Sequence, residues 1–464
     1  MKISSSQPLR GKYYHIKTFG CQMNENDSER MAGLLEESGA ERVSSPEKSD
    51  IIIVNTCAVR EKSEDKLFSY LGRLSHLGKK RDKVVGVTGC VAQLYRNSLF
   101  TKNESIDFIA GPDNYRQIVN IILEVRKEKR AATQWSRNWQ NIPYESTVHE
   151  NPVSSYVTIM EGCNNFCTYC VVPFTRGREK YRPVKLVLDE VKFLSSLGYK
   201  EIILLGQNVN CYQDPDTGEE FFLLLRRVTE IDGIEWIRFI TSHPKNFNKN
   251  LANTMNENQK ICRQLHLPVQ AGSNSVLKRM KRGYTLEEYL EWIRLLKSLM
   301  PDICLSTDII VGFPGESEKD FHKTCDLLEE VGYTNIFSFR YSPRPLSAAG
   351  RYQDSVPLET KKKRLIELQE LQKKIQLRQN KQKVGRVMKV LCLGHSKKDP
   401  KIYSGRNEGY QVVNFKADRD FTGNFVMVRI TSCGPYSLRG EAVNNALFSL
   451  SRINHTTESS YRKD

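Results

Sequence analysis

Cys163, Cys167 and Cys170 stand in the run Gly162-Cys163-Asn164-Asn165-Phe166-Cys167-Thr168-Tyr169-Cys170, with three and then two residues between the thiols. No fourth cysteine lies nearby, whereas structural zinc wants four ligands, usually in two paired halves. Iron–sulfur clusters are built on cysteine thiolates, and three thiolates on a 4Fe–4S cube leave one iron open. An open iron can chelate a small molecule, which a purely electron-transferring cluster does not need.

Three more cysteines lie near the start of the chain: Cys21 in Thr18-Phe19-Gly20-Cys21-Gln22-Met23-Asn24, Cys57 in Asn55-Thr56-Cys57-Ala58-Val59, and Cys90 in Thr88-Gly89-Cys90-Val91-Ala92-Gln93. Each follows a stretch that reads as a strand. Parallel strands bring their C-terminal ends to one edge, so these thiols can converge there. Glycine beside two of them would let the backbone approach a bulky ligand. The three read as a three-thiolate site or as buried structural cysteine, a good core residue. Cys211, Cys262, Cys304, Cys325, Cys392 and Cys433 share no spacing and read as core or incidental thiols.

Elements must position these groups. Tyr13 to Phe19, Asp50 to Asn55 and Val84 to Gly89 read as strands, the last two as continuous apolar runs typical of strands buried on both faces. Asn26 to Ser38 reads as an amphipathic helix with Met31, Leu34 and Leu35 on its apolar side. This is a small doubly wound α/β domain. Arg126 to Pro152 turns polar and reads as a linker. Six buried strands follow, at Tyr156–Met160, Glu201–Leu205, Trp236–Ile240, Gln264–Leu267, Leu305–Val311 and Asn335–Arg340, with helices such as Lys185–Leu197 and Leu286–Leu299 between them. They suggest a barrel or partial barrel with its chemistry at the C-terminal strand ends. Residues 361–390 carry 11 Lys/Arg against 2 Glu, on a helix striped by Leu365, Leu368, Leu371 and Ile375. Four short strands then form a small β module: Arg386–Leu393, Gly409–Phe415, Phe425–Thr431 and Leu438–Val443. Residues after Ser451 are polar and expected to fray.

The 464 residues carry a net charge of +16, which favours a polyanionic partner, nucleic acid before membrane. No apolar run approaches the length of a membrane helix. Met1 to Lys17 lacks the apolar stretch of a secretory signal, so the expected location is the cytoplasm. In that reducing compartment 12 cysteines are unlike disulfides.

The Cys163–Cys170 run has the CxxxCxxC pattern of radical S-adenosylmethionine (SAM) enzymes and resembles that superfamily. The resemblance implies that the open iron binds the amino and carboxylate groups of SAM. An electron from the cluster then breaks a C–S bond and releases a 5′-deoxyadenosyl radical. Both triads together, in this order, resemble the methylthiotransferase family over nearly the whole chain. That resemblance implies two 4Fe–4S clusters, one on Cys21, Cys57 and Cys90 and one on Cys163, Cys167 and Cys170, with SAM as both methyl donor and radical source. The implied fold is an N-terminal doubly wound α/β domain (residues 11–127), a radical-SAM partial (β/α)6 barrel (149–380) and a small C-terminal TRAM β-barrel (383–448).

Within the barrel, Gln207 and Asn208 follow the second strand, where the superfamily holds the methionine part of SAM. Gln270 and Ser273, in His266-Leu267-Pro268-Val269-Gln270-Ala271-Gly272-Ser273, offer further hydrogen bonds. Asp308 to Glu316 resembles the strand that packs on adenine. Arg176, Arg178 and Arg182 could meet RNA phosphate or the SAM carboxylate, or be solvated.

The family replaces an aromatic C–H by C–SCH3, a step that no positioned acid or base can drive and that a cofactor radical must carry. The Gln22-Met23 pair after Cys21 and the run Val171-Val172-Pro173-Phe174-Thr175-Arg176-Gly177-Arg178-Glu179 resemble the branch acting on C2 of N6-dimethylallyladenosine at position 37 of tRNA. The implied partners are the tRNA anticodon stem-loop, gripped by the basic helix and the β module, and an electron donor such as flavodoxin or ferredoxin. The chain is expected to act as a monomer without a membrane. Threonylcarbamoyladenosine in tRNA and a ribosomal-protein aspartate are alternative substrates. A non-catalytic RNA-binding or iron-sensing protein is the alternative from another class.

Overall fold

Burial of continuous apolar runs organises the N-terminal third of the chain. In this computed structural model, which describes residues 7–59, 61–74, 83–125, 128–136, 138–139 and 143–443, all six residues of Ile51–Thr56 are buried. The elements run β1 (Tyr13–Phe19), α1 (Gln22–Glu37), β2 (Glu41–Arg42), β3 (Ile51–Thr56), α2 (Glu61–Leu74), β4 (Val84–Thr88), α3 (Cys90–Tyr95), α4 (Ser98–Lys102), β5 (Phe108–Ala110), α5 (Ile118–Glu124) and β6 (Arg130–Ala132). One parallel sheet takes the order β2-β1-β3-β4-β5-β6. The three strands expected from sequence are its centre. β2, β5 and β6 are too short to leave a pattern.

Two readings change here. The helix after Cys21 starts at Gln22, not Asn26: in its first turn Met23 packs on Ile203 and Leu205 of the next domain and Asn24 bonds Asn55 of its own. The stretch read as a linker contains β6, paired to β5, and then packs on α1, where the backbone N–H groups of Val148 and Glu150 both donate to Glu29.

The central domain contains β7 (Ser154–Thr158), β8 (Met160–Glu161), α6 (Val172–Thr175), β9 (Lys180–Tyr181), α7 (Val184–Ser196), β10 (Glu201–Leu205), α8 (Phe221–Thr229), β11 (Trp236–Phe239), α9 (Lys249–Glu257), β12 (Gln264–His266), α10 (Asn274–Arg279), α11 (Leu286–Leu299), β13 (Cys304–Val311), α12 (Glu318–Val331) and β14 (Asn335–Arg340). Parallel sheets β7-β10-β11 and β12-β13-β14 join through the parallel bridge Ile237–Ile261 into one six-stranded crescent. β7 and β14 are its edges. Alternation sorts the faces: Leu265, Leu305, Ile309 and Val311 pack in the core beneath the helices, so their neighbours face the lumen.

α13 (Leu358–Lys381) lays Leu368 and Ile375 on that core, as its stripe predicts. Part of its charge is not free for RNA, which corrects the expected basic grip. Lys361 and Arg364 are buried, pairing with Asp354 and with Glu316 and Glu318 respectively, and Arg378 pairs with Glu329. Lys362, Lys363, Lys373 and Lys374 remain exposed.

The C-terminal module closes as a barrel of five strands, one more than expected: β15 (Val387–His395), β16 (Tyr403–Asn407), β17 (Val412–Lys416), β18 (Phe425–Cys433) and β19 (Leu438–Ala442). The additional strand, β16, carries Gly405 and few apolar residues, although its burial alternates. The module docks on the N-terminal ends of the barrel strands. Trp236 packs edge-on against Phe425 at 4.7 Å, and Arg238 donates to the carbonyls of Asn407 and Glu408. The segment after Ser451 lies outside the described residues.

Candidate functional site

Cys21, Cys57 and Cys90 sit just past the C-terminal ends of β1, β3 and β4, three adjacent parallel strands, and so meet on one sheet edge. Cys21 accepts a hydrogen bond from Cys57, which lowers its pKa to about 6 against the opposing effect of burial. Cys57 is pushed well up by that same bond and by burial, with Cys90 nearby adding to it. Burial raises Cys90, while the Arg176 guanidinium beside it works the other way.

The flanking glycines have a role other than the expected one. A Cβ on Gly20 would collide with Cys57 and Asn24, and one on Gly89, at φ +86°, would collide with Asn55. They make room for the strand ends themselves. Asn24 and Asn55 cross-bond there at 2.9 and 2.8 Å.

The loop triad lies between β8 and α6. Cys163 and Cys170 are electrostatic neighbours of Cys167, and burial raises both, Cys170 to about 12. Two groups that sequence reasoning missed attend Cys167. Arg282, 4% exposed, points Nη1 at its sulfur from 3.4 Å and also bonds Tyr169 and the Pro268 carbonyl. His243 places Nε2 at 4.0 Å. Burial, with Arg282 and Lys245 adding, lowers the His243 pKa to about 2, so the ring is neutral. Its Nδ1 accepts from the Lys245 backbone N–H, which leaves the proton on Nε2, facing the sulfur. A single arginine and a single histidine carry no spacing, so no sequence pattern marked them.

The two triads are neighbours. Val171, directly after Cys170, is buried in the same apolar cluster as Cys90, and α3 packs on α6. Arg176 spans the seam. It is 2% exposed, donates to Asp27 of α1 at 2.5 Å, and leaves Nη1 buried without a hydrogen-bond partner. The Thr56 and Thr88 hydroxyls, beside Cys57 and near Cys90, are likewise buried and unpartnered. These donors suit an anionic sulfur-rich group on the three thiolates. Among the described residues, no group of three or more His, Cys, Asp or Glu closes around a point as ligands of a single ion would.

Further buried ion pairs tie the domains together around this seam, Arg30–Glu190 at 3.1 Å and Lys180–Asp113 at 2.5 Å, backed within the barrel by Arg182 on the same Glu190 and Glu161 on Lys180 at 3.3 Å. Burial opposes ionisation of Glu161, yet Lys180, Arg116 and Arg176 hold its carboxyl below the usual range. Arg176 and Arg182 therefore face neither solvent nor RNA. Arg178 is exposed, over the Phe166 ring at 5.6 Å.

The four expected SAM contacts differ among themselves. Gln207 accepts from the Gly162 N–H at 2.5 Å and so braces the thiol loop. Asn208 donates to Asn246, and its own Oδ1 is buried without a partner. Gln270 bridges to β13 with φ +76°, a conformation that strained functional positions share. The Ser273 hydroxyl donates to Asp320 Oδ1 at 2.5 Å, so its hydrogen is committed to the start of α12.

A crescent of six β/α units with three thiols on the loop after its first strand is radical SAM architecture, and the model of the Radical SAM superfamily matches residues 157–328. The uncharacterized protein family UPF0004 matches residues 13–111, and the TRAM domain residues 381–443. The chain is 46% identical over 437 residues to the tRNA-2-methylthio-N(6)-dimethylallyladenosine synthase of Thermodesulfovibrio yellowstonii, covering 94% of this chain and 100% of that one. The protein of the same name from Acetivibrio thermocellus is 43% identical, over 93% of this chain and 91% of that one. The chain belongs to the family of tRNA-2-methylthio-N(6)-dimethylallyladenosine synthases. Among solved structures, the radical SAM methyltransferase TsrM from Kitasatospora setae superposes with a TM-score of 0.54 at 14% identity, over 73% of this chain and 75% of that one, a likeness of fold. Among the described residues no helix is long and apolar enough to cross a membrane.

Proposed function

We propose that this chain methylthiolates C2 of N6-dimethylallyladenosine at position 37 of tRNA, with two 4Fe–4S clusters held by its two thiol triads. The observation that carries this reading is the adjacency of the triads across the α3–α6 seam, in a chain alike over 94% of its length to a synthase of that name. When bound, the clusters supply the electron that cleaves SAM and a place to carry sulfur, chemistry no side chain offers.

The chain's own residues then position and shield. Cys163, Cys167 and Cys170 would hold the SAM-binding cluster, with Arg282 and His243 donating toward the Cys167 sulfur. Cys21, Cys57 and Cys90 would hold the other, with Arg176, Thr56 and Thr88 as donors. Asn208 Oδ1 is an acceptor suited to the SAM ammonium, and Gln207 fixes the loop. On the β module, Lys397, Lys398, Lys401, Lys416, Arg419, Arg429 and Arg439 are exposed, a surface suited to RNA phosphates. Action in the cytoplasm as a monomer, fed by a flavodoxin- or ferredoxin-type donor, completes the reading.

The test is incubation of the reconstituted enzyme with SAM, a reductant and two tRNAs, one prenylated and one threonylcarbamoylated at that adenosine. Methylthio product is expected from the prenylated tRNA alone. Preferential turnover of the other overturns the substrate. Absence of SAM cleavage in the reduced, fully loaded protein would favour an iron-sensing or RNA-binding role.

A further inference from the structure

One turn of the TRAM module enters the foot of the crescent. Glu408 to Gln411 link β16 to β17, and this turn touches three barrel strands. Arg238, on the lumen side of β11, donates to the carbonyls of Asn407 and Glu408. The Glu408 carboxylate accepts from the N–H of Arg263, the residue before β12, at 3.1 Å. Gly409 lies against Cys304, the first residue of β13, so closely that a Cβ would fall 2.3 Å from the sulfur. Only glycine lets the backbone come that near.

The turn carries Tyr410 into the lumen. Ile203 and Leu205 alternate along β10 with Ile202 and Leu204, which pack beneath the helices, so they face inward. Met23 of the N-terminal domain closes on Ile203 and Leu205, and Tyr410 packs against this cluster beside Tyr156, Ile240 and Cys21. Met23 stands two residues beyond Cys21. One apolar contact thus joins the TRAM module to the segment that bears the first thiol of the strand triad.

The placement of Tyr410 is enforced. Its φ is +63°, a left-handed backbone that a bulky residue rarely adopts. The Arg238 guanidinium lies 5.0 Å from its ring centre and that of Arg406 4.7 Å, and Arg406 also bonds the Tyr410 carbonyl at 3.1 Å. Arg238 is 2% exposed and pairs through Nε with Glu201 at 2.7 Å. A buried cation is costly unless its donors are all satisfied. Here Nε, Nη1 and Nη2 are each bonded, two of them to the turn. Presenting lysines to RNA requires neither the left-handed tyrosine nor the buried arginine.

We infer that Tyr410 is a positioning residue of the reaction chamber, closing the lumen from below and propping Met23 and, through it, the Cys21 site. The TRAM module then has two roles, gripping RNA and completing the chamber. A radical step needs water kept out, and misplacement by about 1 Å can cost ~10²-fold. The inference rests on the two-site methylthiolation reading and adds a residue that supports one of the sites.

The test compares Tyr410→Ala with the double variant Lys416→Ala/Arg439→Ala, on the exposed surface of the same module. Each full, cluster-loaded chain receives SAM, a reductant and tRNA carrying dimethylallyladenosine at the target position. Tyr410→Ala should lower kcat for methylthio product by about tenfold or more while tRNA affinity holds. It should also release more 5′-deoxyadenosine per product, because the loop triad is untouched. The surface variant should weaken tRNA binding and leave that ratio alone. Tyr410→Phe, which keeps the ring, should restore the coupling. A second readout needs no substrate: iodoacetamide should alkylate Cys21 faster in metal-free Tyr410→Ala than in wild type, with Cys163 unchanged. If Tyr410→Ala does not fold, Tyr410→Leu against Tyr410→Phe decides by the same readouts. Either readout unchanged in the folded variant overturns the inference. So does a product loss that follows tRNA affinity alone, which would assign Tyr410 to the RNA grip. If the wild type makes no methylthio product while Cys21 alkylation still responds, the substrate reading fails and the support of Cys21 by Tyr410 stands.

Discussion

The two cysteine triads are assembled by opposite routes. Cys163, Cys167 and Cys170 share one eight-residue loop, so local backbone conformation alone brings them together. Cys21, Cys57 and Cys90 come from three strands and meet only because β1, β3 and β4 are neighbours in register. Their surroundings differ in the same sense. The loop triad draws its nearby donors, Arg282 and His243, from its own barrel. The strand triad draws Arg176 from the other domain, through a buried pair with Asp27. A site made by a loop is a property of that loop, and a site made by a sheet edge depends on the whole sheet and on what is docked against it.

The largest expected effect separates the triads by composition. Anaerobic reconstitution should load about eight irons per chain, the content of two cubes. Replacing Cys163, Cys167 and Cys170 with Ala should halve the iron and abolish SAM cleavage, whereas replacing Cys21, Cys57 and Cys90 should halve it and leave some 5′-deoxyadenosine formation. A wild type that never exceeds four irons ends the two-site comparison.

Next comes the dependence on docking. Asp27→Ala leaves Arg176 buried without its carboxylate, a change that costs about 3–5 kcal/mol for a pair this deep. Denaturant melts should show the loss, and the residual iron should sit on the loop triad, as resolved by its SAM-dependent electron paramagnetic resonance signal. Equal loss from both sites would show that the loop leans on the seam as much as the sheet edge does.

A smaller effect tests the donors. Arg282→Met removes a cation and a hydrogen bond from the Cys167 sulfur, and donors to cluster sulfurs favour the reduced, more negative state. The midpoint potential of the loop site should move downward in a redox titration, with the strand site unmoved.

The smallest is protonation in the metal-free chain. Cys21 has its pKa lowered to about 6 by the Cys57 hydrogen bond, so it gains thiolate as pH rises through that value. Cys170, held to about 12 by burial, stays a thiol at neutral pH. Since the thiolate is the nucleophile, mass spectrometry after brief iodoacetamide treatment at pH 7 should find Cys21 alkylated well ahead of Cys170. The reverse order would remove the electrostatic distinction.

Much of this was visible in the residues. The loop spacing named its chemistry, the apolar runs marked the central strands and all six of the crescent, and the stripe on α13 pointed to the face it buries. The short strands β2, β5 and β6 left no pattern, because a few residues hold too few alternations to stand out, and β16, Tyr403-Ser404-Gly405-Arg406-Asn407, is too polar to read as a strand. Charge misled more than hydrophobicity did. Lys361, Arg364, Arg176 and Arg182 read as available for RNA or solvent, and all four are buried in ion pairs.

What the sequence by itself determined are the contacts among near neighbours: which thiols share a loop, which runs become strands, which domain follows which. Tertiary structure alone decided that Cys21, Cys57 and Cys90 converge, that the polar side of α1 faces a barrel, and that Arg282 and His243 attend Cys167. The reason is physical. An apolar side chain has one favourable destination, the interior, so its pattern reports its fate. A charged side chain is satisfied equally by water or by a distant partner, and the choice between them is made only when the fold brings that partner within reach.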